Sequence, residues 1–149
     1  MTQPVNIHII TAQEVIPIRQ EILRPGRPVS ECVFAHDDDS DTRHFGAFVD
    51  GTMLGVASVY HLSPPGTTDD SAWQLRGMAV LENSQRNGIG SVLLRACGAH
   101  VVARGGTRLW CNARTGAVPF YVKHGFETVG AEFIIADVGP HYIMQRRLP

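Results

Sequence analysis

The segment that most constrains this chain is QRNGIG at residues 85–90, where two glycines separate an apolar run from a run with helical periodicity. Glycine is unfavourable inside helices and strands, so Gly88 and Gly90 indicate a loop between two regular elements. The preceding WQLRGMAV predicts a strand at residues 73–80, and the residues that follow predict a helix from Gly88 to about Arg104. The chain must therefore adopt a fold in which a strand passes through a tight loop into a helix.

Similar patterns predict strands interleaved with helices along the rest of the chain. Thr11 and Glu14 stand at capping-box spacing before a helix over residues 12–23, although Pro17 indicates a kink or a late start. Asp50-Gly51 predicts the turn of a hairpin. The other predicted segments are strands at residues 5–11, 107–113, 126–136 and 141–148, a short second helix around residues 30–35 and another helix at residues 117–125. The order β-α-α-β-β-β-α-β-α-β-β predicts the α/β class (α+β in some schemes), with one mixed, mostly antiparallel sheet flanked by helices.

The composition predicts one globular domain over residues 1–149, because 44% of the residues are hydrophobic and 18% are charged. The formal net charge of −1 shows no basic excess, so we predict no nucleic-acid partner and no membrane partner. No apolar run approaches the roughly 20 residues of a membrane span. Three widely spaced cysteines favour a reducing compartment, and we predict the cytoplasm by elimination.

An acidic run before the hairpin raises the question of a metal site. Counting a calcium loop from Asp37 requires Gly and Glu at positions where the chain has Thr42 and Phe48. We therefore interpret the run as a solvated loop. The seven histidines and three cysteines form neither an HExxH nor a CxxC motif, so we predict no metal.

The glycine loop has the layout of an anion-binding site. Backbone N–H groups at a helix N-terminus are unpaired, the helix dipole adds partial positive charge, and Arg86 supplies a full charge nearby. A Walker loop is excluded by spacing, and a dinucleotide fingerprint would need glycine at Leu93. The loop is thus either a diphosphate cradle or only a tight turn.

A second stretch, NARTGAVPFYVKHGF, begins at Asn112 and ends at Phe126. Together with the LRGMAV strand and the QRNGIG loop, it resembles the GNAT superfamily of acyl-coenzyme A-dependent N-acyltransferases. The two motifs cover about Trp73 to Gly130, and the predicted order of elements is similar to that of the family. The resemblance implies a GNAT fold and an acyl-coenzyme A donor.

The resemblance also implies roles for individual residues. The loop amides would bind the pyrophosphate of coenzyme A, and the strand before the loop would hold the pantetheine arm, with a backbone N–H facing the thioester oxygen. The implied cofactor-binding residues are Met78, Ala79, Val80, Gln85, Arg86, Asn87, Gly88, Ile89, Gly90, Ser91, Asn112 and Phe120. Tyr121 would be the general acid that protonates the leaving thiolate, the alternative being an aromatic residue that only packs.

One position departs from the family pattern. Many members carry a carboxylate on the strand before the loop, and by register that position is Gln74 here. A glutamine cannot remove a proton near pH 7, although it can orient a water molecule. Three explanations stay open: a water relay, an amine that needs no base, or another base among His141, Asp137 and Glu132.

The segment IRQEILRPGRP places Arg19, Arg24 and Arg27 where this family shapes its acceptor pocket. A solvated helix face with a rigid Pro-Gly turn is the structural alternative. Our hypothesis is that the acceptor carries a carboxylate besides its amine, and that Arg24 binds this carboxylate. Arg76 and His141 are further candidates for contact with the acceptor.

These residues predict an N-acetyltransferase that moves an acetyl group from acetyl-CoA to a primary amine of a small molecule or peptide, by direct attack. A coenzyme A-binding sensor or scaffold without transfer activity is the alternative, and a longer acyl donor is a third interpretation. In the family, edge strands near the C-terminus often pair between chains, which makes a homodimer an expectation.

Overall fold

The Asp50-Gly51 turn joins two strands of a seven-stranded sheet. The computed structural model describes residues 3–149. Its strands are β1 (Asn6–Ile10), β2 (Arg43–Val49), β3 (Thr52–Tyr60), β4 (Ala72–Val80), β5 (Arg108–Arg114), β6 (Glu127–Ile135) and β7 (Gly139–Arg147). Its helices are α1 (Ile16–Ile18), which continues as a π-helical turn (Arg19–Leu23), α2 (Ile89–Ala103) and α3 (Val118–Lys123). The strand order is β1-β2-β3-β4-β5-β7-β6, and only β4 and β5 pair in parallel, which confirms the mixed, mostly antiparallel sheet.

The sheet opens between its two central strands. Residues Ala72 to Gln74 of β4 pair with β5, and beyond Gln74 the two strands diverge. On its other side β4 contains a bulge, where Gly77 and Met78 lie opposite a single residue of β3. Gly77 has a φ of 70°, and a Cβ there would lie 3.2 Å from Nε of Arg19, so this position needs glycine.

Helix α2 packs its apolar side on one face of the sheet, which we call the α2 face. Leu93, Cys97 and Val101 are fully buried there. They share a core cluster with Trp73 and Leu75 of β4, and α3 contributes Tyr121 to the same cluster. The predicted helix after the glycine loop is therefore confirmed, with its apolar positions at helical spacing.

Helix α1 and the π-helical turn pack on the opposite face, the α1 face, where Val15 and Ile18 contact Val56 and Ala79. Pro17 stands at the first turn and delays the helix, as its position predicted. Thr11 and Glu14 form the predicted reciprocal bonds, N–H to Oε1 at 2.9 Å and N–H to Oγ1 at 3.1 Å. These bonds cap a turn before the helix, because α1 itself begins only at Ile16.

The structure differs from the sequence-based expectation at two places between α1 and β2. The segment predicted as a second helix around residues 30–35 forms only a 3-10 turn, Val29–Cys32. The prediction of a solvated acidic loop is wrong for Asp37, which is 5% exposed. Both oxygens of its carboxylate accept hydrogen bonds from Arg19, a pairing across 18 residues that no local pattern reveals.

The far edge of the sheet is formed by β6, whose residues are mostly exposed. Val129 and Ile134 are large apolar residues on its surface. Among residues 3–149, no helix has the length and apolarity that a membrane crossing requires.

Candidate active site

The loop before α2 presents a row of backbone donors. Gly88 has a φ of 79° and Arg86 a φ of 70°, so the chain turns sharply between β4 and the helix. Within residues 3–149, the six N–H groups from Arg86 to Ser91 donate no hydrogen bond to any backbone or side-chain acceptor. Such a row at the N-terminus of a 15-residue helix can bind the oxygens of an anion. The loop thus fits a diphosphate.

The packing of the protein does not require glycine at the second loop position. A Cβ at Gly90 would lie 3.5 Å from the Phe120 ring and 3.9 Å from the Met78 sulfur, which are ordinary contacts. Gln85 ties the loop to β4, since its Nε2 donates to the Val80 carbonyl at 2.9 Å. The absence of a side chain at Gly90 therefore leaves room above Phe120 and Met78.

A cavity of about 420 Å³ lies at the divergence of β4 and β5, and residues from both faces of the sheet line it. From the α2 face it is lined by Leu75, Met78, Cys111, Ala113, Ala117 and Tyr121. From the α1 face it is lined by Ile22, Leu23, Arg24, Phe34, Gln74, Arg76, Asn112, Arg114 and His141. A molecule in this cavity is therefore in contact with both faces of the sheet at once.

Tyr121 lines the cavity on the α2 face. It is 9% exposed, and its ring packs edge-on against Phe126 at 5.3 Å. Burial raises the pKa of the Tyr121 hydroxyl above its ordinary value, and the adjacent thiol of Cys111 adds to this rise. The hydroxyl therefore keeps its proton at neutral pH. Burial likewise raises the pKa of the Cys111 thiol to about 12, so Cys111 is a core residue and not a reactive thiol.

His141 lies on the opposite side of the opening. It pairs directly with Arg114 across β5 and β7, which places both side chains on the α1 face. The ring is 4% exposed, and its Nδ1 lies 2.7 Å from the Gly139 carbonyl oxygen. A carbonyl only accepts hydrogen bonds, so Nδ1 carries the hydrogen in the neutral ring and Nε2 holds a lone pair.

Gln74 stands at the last paired position before β4 and β5 diverge. Its register partner on β3 is Tyr60, whose hydroxyl bonds to Asp37 on the α1 face. The Gln74 side chain is buried and faces the same side of the sheet as His141. An amide at this place can orient a bound group but cannot remove its proton.

Three arginines line the cavity on the α1 face, and among residues 3–149 no aspartate or glutamate lines it. The guanidinium carbon of Arg76 lies 4.1 Å from the centre of the Phe34 ring, and that of Arg24 lies 5.6 Å away. Arg114 lies beside Arg24, because its Nη2 lies 3.4 Å from the carbonyl oxygen of Leu23, the residue before Arg24. The cavity is therefore positively charged on this face.

A known protein family matches most of the chain and is consistent with this geometry. A model of the Acetyltransferase (GNAT) family matches residues 12–126. The chain belongs to the GNAT family of acetyltransferases. This GNAT protein is 34% identical over 143 residues to the uncharacterized N-acetyltransferase YitI of Bacillus subtilis, and the match covers 96% of each chain.

Solved structures share the GNAT fold. The ribosomal-protein-S18-alanine N-acetyltransferase from Escherichia coli matches with a TM-score of 0.76 at 19% identity, covering 97% of this chain and 94% of that one. An aminoglycoside 6'-N-acetyltransferase complexed with coenzyme A matches with a TM-score of 0.76 at 15% identity, covering 97% and 98%. At these identities the likeness shows the fold alone.

The cavity of this GNAT chain brings together only some of the residues that the sequence singled out. Those that line it are Tyr121, Gln74, Met78, Asn112, Arg24, Arg76 and His141. Ala79, Val80, Phe120 and residues 85–91 lie outside it, the last around the N-terminus of α2. Among the three candidate bases, Glu132 and Asp137 are exposed and do not line the cavity.

Two expectations about arginines were wrong. Arg19 does not face the acceptor side of the cavity, because its side chain is fully buried and paired with Asp37. Arg27 is exposed and bonds to Glu31 at 2.6 Å. Sequence reasoning missed Phe34, which lies in an irregular segment without periodicity, and named Arg114 only as part of a motif. In the part of the chain that the structure describes, no three His, Cys, Asp or Glu residues cluster as metal ligands.

Proposed function

We propose that this GNAT protein transfers the acetyl group of acetyl-CoA to the primary amine of a small-molecule or peptide acceptor. The observation that carries the proposal is the cavity between β4 and β5, which has a buried tyrosine hydroxyl on one face of the sheet and an imidazole lone pair on the other. A donor can thus approach from the α2 face while an acceptor approaches from the α1 face. Direct transfer between them needs no covalent enzyme intermediate.

The donor side fits coenzyme A. The six open N–H groups from Arg86 to Ser91 match the pyrophosphate, and the bare backbone at Gly90 lets it come close. Met78 belongs to the bulge and Ala79 and Val80 follow it, and all three lie on the edge of β4 that faces β5 but does not pair with it. Their backbone would hold the arm that ends in the thioester. Acetyl-CoA supplies the activated acetyl group.

The proton movements follow from the two faces. A C–N bond forms between the acceptor amine and the acetyl carbon as the C–S bond breaks. Tyr121 gives its hydroxyl proton to the leaving sulfur. Nε2 of His141 takes the proton that the amine loses, and Gln74 orients the amine between them. Water then returns a proton to Tyr121 and removes one from His141.

Calorimetric titration with acetyl-CoA and with coenzyme A tests the donor site. Gly90→Val should weaken binding of both at least about tenfold, because a side chain there fills the space above Phe120. Gly98→Ala is the matched control, since it lies on the same helix and its Cβ would meet only Leu148 at 3.9 Å. Absence of binding to either ligand would overturn the proposal.

A transfer assay distinguishes the transferase from the alternative, a coenzyme A-binding sensor that transfers nothing. Release of free thiol in the presence of amines would support the transferase. Tight binding of acetyl-CoA without acetylation of any amine would favour the sensor, and faster reaction with a longer acyl-CoA would favour the third interpretation.

A homodimer through β6 and a cytoplasmic location belong to the same proposal. The exposed edge of β6 offers unpaired backbone groups for a second copy, and the three cysteines are free and buried. Sedimentation of the purified protein measures the oligomeric state directly.

A further inference from the structure

The three cavity arginines are linked to one another through shared neighbours. Arg76 and Arg24 both lie over the ring of Phe34. The Leu23 carbonyl oxygen accepts hydrogen bonds from Nη1 of Arg24 at 3.1 Å and from Nη2 of Arg114 at 3.4 Å. One carbonyl and one ring thus hold three guanidinium groups around a single opening.

None of the three has an anionic partner in the part of the chain that the structure describes. Other arginines are neutralised there, for example Arg104 by Asp41 at 2.8 Å and Arg108 by Asp69 at 2.7 Å. Burial lowers the pKa of Arg76 and of Arg114, and the nearby charge of Arg24 lowers both further. Asp37 acts on the pKa of Arg76 in the opposite direction, and Glu31 lies close enough to Arg24 to have its own pKa lowered, but neither carboxylate forms an ion pair with the three arginines. The repulsion between the three groups is therefore relieved only in part within the protein, and an anion in the cavity would relieve it further.

The phosphates of the donor do not account for this charge. The loop that fits them begins α2, which packs on the α2 face, whereas Arg24 follows the π-helical turn on the α1 face. None of residues 85–91 lines the cavity. The three arginines therefore face the acceptor.

We propose that Arg24, Arg76 and Arg114 bind the acid groups of the acceptor, which is a small amine that carries two negative charges on a phosphate or on two carboxylates. The inference rests on the proposed transferase function and specifies its acceptor. A single carboxylate would leave most of the positive charge unbalanced, whereas a dianion offers enough oxygens for three guanidinium forks.

The same charges explain how the amine reaches its reactive form. Arg114 is exposed at the opening, and His141 and Gln74 are buried deeper in the cavity. The acid groups of the acceptor therefore stay near the opening while the amine points inward. The positive charge that the dianion leaves unbalanced disfavours the ammonium form of that amine, which helps a site whose described lining contains no carboxylate base.

The experiment compares acceptors in matched pairs at saturating acetyl-CoA. Phosphoethanolamine is compared with ethanolamine, and L-aspartate with L-asparagine and with the diamide of aspartate. Spermidine serves as the cationic amine. We expect kcat/KM of the better dianion to exceed that of its partner without those acid groups at least about hundredfold, since two charge-assisted contacts are lost. Comparison of the phosphate pair with the dicarboxylate pairs shows whether the site binds a phosphate or two carboxylates.

Variants and a binding measurement complete the test. Arg24→Gln, Arg76→Gln and Arg114→Gln should each raise KM for the dianion about tenfold or more, with kcat little changed. Arg147→Gln is the control, because Arg147 is exposed on β7 outside the cavity. Calorimetry with succinate, inorganic phosphate and succinamide reports anion binding without any transfer.

The outcomes separate this inference from the function on which it rests. Acetylation of neutral or cationic amines as fast as of dianions, with no effect of the three variants, would overturn the dianionic acceptor and leave the transferase intact. Binding of succinate or phosphate that the variants abolish, without acetylation of any amine, would keep the anion site and overturn the transferase.

Discussion

The guanidinium of Arg19 forms two parallel hydrogen bonds with the carboxylate of Asp37, Nη1 to Oδ2 at 2.7 Å and Nη2 to Oδ1 at 3.1 Å. Arg19 also donates to Ser58 and to the Tyr60 hydroxyl oxygen, both at 3.1 Å. His44 completes this network, with its ring 2.6 Å from the Ser58 hydroxyl. The network lies beneath the wall of the cavity, because Arg19 stacks on Phe34, the ring that also carries Arg24 and Arg76.

Asp37→Asn should destabilise the protein by about 3–5 kcal/mol, because it leaves the charge of Arg19 buried without a partner. Chemical denaturation monitored by tryptophan fluorescence measures this free energy of unfolding. Asp38→Asn is the matched control, since Asp38 is the exposed neighbour in the same loop. A loss of less than about 1 kcal/mol in Asp37→Asn would contradict the importance of the pair.

The same carboxylate makes stability depend on pH. Burial alone would raise the pKa of Asp37, but hydrogen bonds from Arg19, Tyr60 and the Phe34 N–H hold this pKa below its usual range. A lowered folded-state pKa stabilises the fold above the unfolded-state value of about 4, and this contribution is lost as pH falls through the folded-state pKa. Unfolding free energies measured from about pH 7 to about pH 3 should therefore fall less steeply in Asp37→Asn than in the wild type. Equal slopes would exclude this role for Asp37.

Tyr121→Phe should lower kcat about a hundredfold if its hydroxyl protonates the leaving thiolate. The ring still fills its place beside Phe126, so binding of acetyl-CoA should change little. Thiol release measures kcat, and calorimetry measures binding. Tyr142→Phe provides the control, since Tyr142 packs against the same core without lining the cavity. Equal activity of the two variants would leave Tyr121 with a packing role only.

His141→Ala should remove most of the activity, and added imidazole should restore part of it by occupying the vacated space. A role in packing alone would not respond to imidazole. His141→Gln should lose activity as well, since the group that accepts the proton is gone. His36→Ala, at an exposed histidine that does not line the cavity, is the control. Failure of imidazole to restore any activity would argue for a water relay through Gln74.

Gln74→Glu should raise KM for anionic acceptors, because the new carboxylate shares the α1 face with the three cavity arginines and repels an anion. The kcat/KM of acceptors without acid groups should rise relative to that of anionic acceptors. Ratios of kcat/KM for phosphoethanolamine and ethanolamine measure this change. An unchanged ratio would show that the charge at position 74 does not reach the acceptor.

Much of the sheet could be predicted because its signals are local. The Asp50-Gly51 turn and the periodicity of residues 89–103 depend only on near neighbours in the chain. The pairing of Arg19 with Asp37 could not be predicted, because the local sequence around a buried ion pair between distant residues is the same as that around two solvated charges. The apparent acidic loop therefore concealed a buried carboxylate.

The residues of the site that could be predicted are those that belong to a sequence motif or follow from its register. Tyr121 and Asn112 belong to the second motif, and Gln74 follows from register with the first. Phe34 belongs to no motif, since it enters the cavity from an irregular segment whose position depends on the buried pair beneath it. The opening of the sheet itself is a property of the register between β4 and β5, which no single strand reveals.

The π-helical turn has a consequence for how acceptor choice can change. The N–H of Arg24 bonds to the Arg19 carbonyl five residues earlier, at 3.1 Å, so this turn holds one residue more than a regular helix. One residue corresponds to about 100° of rotation. Deleting a single residue between Gln20 and Leu23 would leave Arg19 in the interior and swing Arg24 away from the cavity. Acceptor specificity in this protein is thus set partly by the phase of one helical turn, and a change in chain length could alter it without any substitution among the residues that handle protons.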